Sequence, residues 1–477
     1  MHVSVPKHIA KSPPLILRPG ERRTLLLIVD FIISNLALLI SLYLWARADE
    51  FLEFSLEFLR RTPAWFFLLP FFWLILLVEL YDEHRASDWK ETLRGVATTA
   101  LVGLGLYLIL YFFYSTPKSL PRRGVAGFIL AASVLTLTWR FIYIRVFTAP
   151  QFMRRVLLVG AGETGKTMLQ ITKEIWPPPF YWVGIIDDDP EKLGIEKEGV
   201  SVLGSSQELY EIINRERVTD LVVAISGEMQ GSMFQSLLDA QETGVVITRM
   251  PVAYEELLGR VPIRHLEADW ILRSFVDQAR VNGFYELGKR LFDILGGLIG
   301  VAVLLLLLPF ISLAILLDNG WPVFYSQVRS GRGAQPYRII KFRTMCNNAE
   351  PNGLPQWAEE NDRRATRVGR FLRRTHLDEL PQFINVVKGE MSLVGPRAER
   401  PELVAWFQKY VPFYRARLLV KPGITGWAQV NYGYASTIDE TITKLEYDLY
   451  YIKHRNLMLD FVILLRTPAT VLGLRGR

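Results

Sequence analysis

Two adjacent carboxylates, Asp378 and Glu379, stand in the run THLDELPQFINVVKGEMSLVGPR, with Arg373 and Arg374 just before them and Arg397 at its end. The pattern suits phosphate chemistry. Asp378 has the residue type of a helix N-cap, Glu379 to Pro381 would form the first turn, and Lys388-Gly389 would stop the helix. A helix start there sets both carboxylates at the positive end of the dipole, which favours their ionised forms and also a bound phosphate. Neighbours in sequence on a helix point different ways, so the two divide the work: one attacks a phosphorus and the other holds a cation. An isolated Asp-Glu pair is also an ordinary cap, so the surroundings decide.

Those surroundings are cationic. Arg329, Arg332, Arg338, Lys341 and Arg343 are followed by Arg363, Arg364, Arg367, Arg370, Arg373 and Arg374. A guanidinium matches two phosphate oxygens in one plane, which serves a pyrophosphate or a lipid headgroup. Trp406, Phe407, Tyr410, Phe413 and Tyr414, interleaved with Lys409, Arg415 and Arg417, read either as an interfacial anchor or as ordinary core.

The elements that must carry these residues are those of a multi-domain membrane protein. At 477 residues and 50% hydrophobic content the chain is too apolar for an ordinary soluble protein and too long for one domain. A net charge of +7 suits anionic partners. The basic residues lie beside apolar stretches of membrane length rather than in a nucleic-acid-binding motif, so no nucleic acid is expected. Cys346 is the only cysteine, which excludes an intramolecular disulfide and a cysteine metal cluster and fits a cytoplasmic setting for the soluble parts.

Apolar runs at about 24–46, 64–81, 96–114 and 124–147 each approach the ~20 residues that a bilayer needs. The polar N-terminal stretch and the length of the first run argue against a cleaved signal peptide. Four spans over 1–150 return the chain to its starting side, with Lys7, Lys11, Arg18, Arg22, Arg23, Arg85, Lys90, Arg94, Arg154 and Arg155 cytoplasmic. Arg47, Arg60, Arg61, Lys118, Arg122 and Arg123 fall in the opposite loops, so the even number of spans carries the assignment more than the charges do.

Residues 151–265 read as an α/β, Rossmann-like unit: a buried strand, a glycine turn and a helix in RRVLLVGAGETGKTMLQITKEI, then strands in YWVGIIDDD, LVVAIS and VVITRM. Gly160, Gly162 and Gly165 form GxGxxG with Asp187 to Asp189 about 20 residues on, the layout of a dinucleotide-binding fingerprint. The same glycines also serve a tight turn and close helix packing, so the unit either binds a nucleotide or is regulatory or structural. Tyr285 and Lys289 give the YxxxK spacing of nucleotide-sugar dehydratases, but at the mouth of the next apolar run, where a helix-entry role fits better. That run, Ile294 to Leu317, would reach roughly 36 Å as a straight helix and cross a bilayer. Pro309, which lacks an amide proton and clashes with the carbonyl of Leu305, offers a bend that returns the chain to the side it entered.

Five ordered blocks occupy the stretch from about Tyr285 to the C-terminus: KRLFDILGG, VFYSQVRSGRGAQPYRIIKFRTM, RVGRFLRRTHLDELPQFINVVKGEMSLVGPR, KPGITGWAQVN and YDLYYIKHRNLMLDFVILLRT. In them the chain resembles the bacterial sugar transferases, the monotopic phosphoglycosyl transferases that start glycan assembly on a polyprenyl phosphate. The upstream part is similar, more loosely, to the membrane and nucleotide-fold extensions of the longer members. The resemblance implies a linker at 266–284 and an α-rich catalytic domain at 285–477 with a re-entrant helix at 289–317. It also implies transfer of a sugar 1-phosphate from a UDP-sugar to undecaprenyl phosphate with release of UMP, at the cytoplasmic face of the bacterial inner membrane, in polysaccharide synthesis. Asp378 then matches the nucleophile, Glu379 the Mg2+-linked carboxylate, and Lys341, Arg343, Arg373, Arg397 and Asp448 the positions that bind substrate or support the site. The chain departs from the family with Ala398 after Gly395-Pro396-Arg397, where relatives have a second proline, and with Tyr432-Gly433, where they have Gly-Arg. The second departure removes an arginine expected to touch the sugar. A nucleotide-sugar dehydratase or epimerase and a non-catalytic export scaffold are the rival classes, and a homo-oligomer stays open.

Overall fold

The computed structural model describes residues 19–47, 54–81, 83–113, 121–147, 153–176, 178–227, 229–266, 283–346, 364–433 and 437–471. The chain divides into two units, Met1–Ala253 and Tyr254–Arg477. The expected linker, apart from Leu266, Gly283 and Phe284, lies outside the described residues.

In the first unit, three of the four N-terminal apolar runs form long helices: α1 (Pro19–Arg47), α2 (Trp89–Phe113) and α3 (Arg122–Phe147). Each is long and apolar enough to cross a membrane. The second run does not form one such helix. Pro63 precedes a 3-10 turn, Ala64–Leu68, Pro70 lies in the first turn of a short helix, Leu69–Leu76, and a second 3-10 turn covers Val78–Tyr81. A proline without an amide hydrogen starts helices readily and continues them poorly, which explains the fragmentation.

Helices α1 and α3 are joined by a fully buried ion pair, Arg140 Nη2 to Asp30 Oδ2 at 2.6 Å, with both side chains 0% exposed. Removing either partner strands a charge in an apolar interior. Asp30→Ala or Arg140→Ala should therefore lower stability by about 3–5 kcal/mol, whereas Asp30→Leu with Arg140→Met should recover most of it. Resistance of the purified protein to unfolding in detergent reads the difference.

The α/β part of this unit contains β1 (Arg155–Val159), α4 (Glu163–Glu174), β2 (Tyr181–Ile186), β3 (Glu196–Lys197), β4 (Val200–Gly204), α5 (Leu209–Glu216), β5 (Asp220–Val223), α6 (Gly231–Glu242) and β6 (Val246–Arg249). The sheet order is β3-β4-β2-β1-β5-β6, parallel throughout except for the β3–β4 pair. Leu157, Val159, Ile186 and Leu221 form its buried centre, so the near-continuous apolar strands are covered on both faces. The Rossmann-like expectation from the βαβ alternation is met.

The second unit opens inside the helix α7 (Met250–Leu258) and continues into a long helix, α8 (Gly283–Asn319). A hairpin follows, β7 (Phe324–Ser330) and β8 (Pro336–Phe342), then α9 (Arg367–Arg374), α10 (Gln382–Lys388), β9 (Ser392–Val394) and α11 (Pro401–Phe407). The chain ends with β10 (Gly423–Thr425), paired parallel to β9, then α12 (Trp427–Asn431), α13 (Ile438–His454) and α14 (Leu457–Val471). This is the α-rich body with a few short strands that the family resemblance implied. The sequence reading ran the α/β domain on to 265, but Val261 and Ile263 belong to the apolar core of the second unit, with Val386, Leu393, Leu445 and Leu449.

Candidate active site

The dyad lies in one 3-10 turn, Leu377–Glu379, entered through His376 in the left-handed region at φ 55°. Asp378 is therefore not a helix N-cap, and α10 begins only at Gln382. The amide of Glu379 donates to His376 O and that of Leu380 to Leu377 O, both at 3.2 Å, so the turn closes on itself before Pro381. The expected stop is present: Gly389 has φ 90°, and its amide donates to Asn385 O and Val386 O, both at 3.0 Å.

Both carboxylates are buried, and their environments push them apart. Glu379 Oε1 accepts from Lys341 Nζ at 2.7 Å and from Arg397 Nη2 at 2.9 Å. Burial works to raise its pKa, but the Arg397 and Lys341 charges prevail and hold the carboxyl well below the usual range. For Asp378, burial first and the Glu379 charge second push the pKa up to about 6, against the opposing pull of Lys341, Arg397 and Arg373. One carboxylate is thus a fixed anion binding two cations, and the other is the more basic of the pair.

The positions of these groups follow from backbone locks. Asn385, fully buried on α10, donates to Arg338 O at 2.8 Å and accepts from the Ile340 amide at 3.2 Å, which fixes α10 to β8 beside Lys341. Arg290 of α8 donates to Val386 O and Val387 O at 2.9 and 2.7 Å and so caps the C-terminus of α10. Asp293 accepts from Ser392 Oγ and the Leu393 amide at 2.9 and 3.0 Å, holding β9, from which Arg397 follows. Gly395 and Gly423 approach so closely that a Cβ on Gly423 would lie 2.1 Å from Gly395 N, which explains the glycines in KPGITGW and VGPR.

Two of the residues expected to bind substrate or support the site lie away from the dyad. Arg343 is buried and donates to Asn319 O at 2.8 Å, Trp321 O at 3.1 Å and Gly320 O, so it caps the C-terminal carbonyls of α8. Asp448 is 1% exposed and pairs with Arg417 Nη2 at 2.9 Å, beneath the site rather than in it. Arg417 also donates to Arg397 O at 3.1 Å and to Tyr414 Oη at 2.7 Å, and it faces Glu399 Oε1 at 3.5 Å. Lys341 and Arg397 are at the dyad as expected, and Arg373 is half-buried on α9 with its charge acting on Asp378. The aromatic stretch divides: Trp406 and Tyr410 are exposed, while Phe407, Tyr414 and Arg417 are buried. Asn385 escaped the sequence reading, and Arg417 was read there only as one of the cations interleaved with the aromatic residues.

The residues present fit Mg2+ arriving with a substrate. No group of three or more His, Cys, Asp or Glu able to cage a metal exists among the described residues. Mg2+ commonly takes only one or two carboxylates and completes its shell with substrate phosphate and water. Glu379 would be such a carboxylate.

At the other candidate site, Gly160 has φ 106° and a Cβ on Gly165 would lie 2.2 Å from Gly160 O, whereas one on Gly162 would meet nothing within 4 Å. The first and third glycines thus serve turn and packing, and the second leaves room above the loop. Asp187 accepts from the Ala161 amide at 2.7 Å and the Asp189 amide at 3.0 Å, turned toward the glycine loop. Lys289, the second residue of YxxxK, pairs with Asp460 at 2.9 Å at the start of α8, in keeping with a helix-entry role.

Comparisons with known proteins bear on both halves of the chain. The family description "Bacterial sugar transferase" matches residues 284–473, and "CoA-binding domain" matches residues 77–251. An Aeromonas hydrophila UDP-N-acetylgalactosamine-undecaprenyl-phosphate N-acetylgalactosaminephosphotransferase is 44% identical over 218 residues, 46% of this chain and 50% of that protein. The match thus spans half of that relative's length. A Xanthomonas campestris pv. campestris UDP-glucose:undecaprenyl-phosphate glucose-1-phosphate transferase is 32% identical over 336 residues, 67% of each chain. An Erwinia amylovora UDP-galactose-lipid carrier transferase is 27% identical over 445 residues, 87% of this chain and 83% of that one. With the signature laid over the dyad and its cations, and a relative matched across two thirds of its length, the chain belongs to the bacterial sugar transferase family.

Proposed function

We propose that this protein transfers a sugar 1-phosphate from a UDP-sugar to a polyprenyl phosphate at the cytoplasmic face of the membrane. The relatives act on UDP-glucose, UDP-galactose and UDP-N-acetylgalactosamine with an undecaprenyl or lipid carrier, which supports the substrate classes. The single observation that carries the mechanism is the division of labour within the dyad, one carboxylate bound by two cations and the other made more basic by burial.

In the first step an Asp378 carboxylate oxygen attacks the phosphorus that bears the sugar. The bond from that phosphorus to the bridging oxygen breaks, and UMP leaves with the electron pair. In the second step an oxygen of the lipid phosphate attacks the same phosphorus and expels the Asp378 carboxylate, giving a polyprenyl diphosphate sugar. A carboxylate is a weak nucleophile, so each displacement depends on stabilising the departing charge. Lys341 and Arg397, held on Glu379 Oε1 beside Asp378, would neutralise that charge, and Glu379 would hold Mg2+, which supplies Lewis-acid stabilisation when bound. Purified enzyme, UDP-sugars, polyprenyl phosphate and Mg2+ should give UMP and a lipid-linked sugar phosphate. No UMP with any UDP-hexose or UDP-N-acetylhexosamine would remove this reading.

We also read α8 as entering and leaving the membrane on one side. Both of its halves pack on the same body: a Cβ on Gly300 would meet the Phe383 ring at 2.2 Å, and Leu304, Ile311 and Ile315 pack with Phe342 and Leu372. Leu298, Ile299, Leu305, Leu306, Phe310 and Leu313 face outward, an apolar surface for lipid. The helix continues through Pro309, so the return to one side is a bend within it and not a break between two helices. Cys346, exposed and the sole cysteine, is a built-in reporter. An impermeant maleimide should label it only when the cytoplasmic face is open, and labelling from the opposite face of sealed cells would mean that α8 crosses.

A further inference from the structure

The segment Tyr254–Leu266 precedes the family signature, yet it is built into the catalytic unit along the whole length of α13. Its polar partners recur every seven residues on that helix. Arg264 pairs with Asp439; Tyr254 Oη and Arg260 Nε reach Glu446 Oε2 at 3.2 and 3.6 Å; Glu255 takes Lys453 Nζ on both oxygens at 2.9 Å and His454 Nε2 at 2.9 Å. A seven-residue step returns to nearly the same face of a helix. On that face Tyr450 also stacks on Trp427, whose indole donates to Gly259 O at 2.6 Å. Burial is deep at the start of the segment and again at Val261 to Ile263, with Tyr254 and Glu255 at 4% and Val261 at 0%.

The opposite face of α13 leads to the chemistry. Asp448 follows Glu446 by two residues, about 200° around the helix. It binds Arg417, which also donates to the carbonyl of Arg397, the residue that donates to Glu379. Lys444, one turn before Asp448, faces Glu399 at 3.5 Å, and Glu399 faces Arg417. Apolar cover alone would need Val261 and Ile263 but not a buried carboxylate matched to a lysine and a histidine.

We infer that Tyr254–Leu266 is a positioning strap: by clamping one face of α13 it sets Asp448 and Arg417 on the other, and through them the placement of Arg397 at Glu379. The inference rests on the transferase reading of the dyad, and its test has a readout independent of that reading. Full-length Glu255→Ala and Glu255→Gln, in lipid nanodiscs, are compared with the wild type by hydrogen–deuterium exchange and by UMP release. Glu255→Ala should speed exchange in α13 and also at Tyr414–Leu419. It should lower kcat per folded molecule by about tenfold or more with KM for the UDP-sugar little changed, because a remote shift misplaces a group that acts in the transition state. Glu255→Gln, which keeps an acceptor for Lys453, should recover most of both effects, and Lys453→Met, which opens the same clamp from α13, replaces the alanine variant if that one does not fold. With Glu255→Ala or its replacement, faster exchange confined to residues 254–266, or a kcat per folded molecule equal to that of the wild type, overturns the relay. Absence of UMP from the wild type would count against the transferase reading instead, and the exchange pattern would still decide whether the strap holds Tyr414–Leu419.

Discussion

Asp378→Asn is expected to reduce UMP release by several orders of magnitude while leaving the fold as stable as before or more so. The two effects have one cause. Burial and the Glu379 charge raise the Asp378 pKa to about 6, so near neutrality the folded protein holds a carboxylate it would rather protonate. A neutral carboxamide of nearly the same shape relieves that repulsion. It can neither carry the charge nor attack phosphorus, so the chemistry stops. Thermal unfolding and steady-state UMP release on the same preparation separate the two, provided that mass spectrometry excludes deamidation back to aspartate. A variant that turns over normally would assign the attack to another group.

Arg417→Ala has the largest expected effect on stability in the catalytic unit. Arg417 is 4% exposed and is the counter-charge of Asp448, itself 1% exposed, with Glu399 also facing it. Removing it leaves carboxylates in a dry interior, at about 3–5 kcal/mol, and frees the carbonyl of Arg397. Lysine should not substitute, because one ammonium cannot serve Asp448, Tyr414 Oη and Arg397 O in the geometry of a planar fork. Adding Asp448→Asn to Arg417→Met should return part of the lost stability, since the pair then loses both charges together. Guanidinium melts of the four proteins check the order. Full stability in Arg417→Ala would mean that water, not Arg417, balances Asp448.

Local rules carried much of this molecule. The strand, glycine turn and helix around Gly160, Gly162 and Gly165, and the stop at Gly389, depend on backbone conformations that few residues accept, and both were legible. The dyad was legible as chemistry because two carboxylates among arginines are costly unless used. Its local shape was not: Pro381 delays α10 to Gln382, and a 3-10 turn rather than a cap presents Asp378. The partners of Arg343, Arg417 and Asp448 were not legible, for a different reason. Residue type says that a guanidinium or carboxylate needs a partner, but whether the partner is a phosphate or a buried carbonyl is decided by tertiary packing. The second apolar run shows the same limit, since composition gave its length while Pro63 and Pro70 broke its helix. In the strap, the step from Asp439 to Glu446 to Lys453 marks one face of a helix, but nothing local to it names residues 254–264 as its partners.

Two-step transfer requires a covalent bond to Asp378. The direct measurement is rapid quench of the enzyme with UDP-sugar and Mg2+ in the absence of polyprenyl phosphate, followed by peptide mass spectrometry. A sugar phosphate should appear on the peptide containing Asp378, with a burst of UMP near one equivalent per enzyme, and it should vanish when lipid phosphate is added and in Asp378→Asn. Steady lipid-linked product from an enzyme that never carries the adduct, and gives no UMP until the lipid is present, would contradict the two-step mechanism and point to direct displacement by the lipid phosphate.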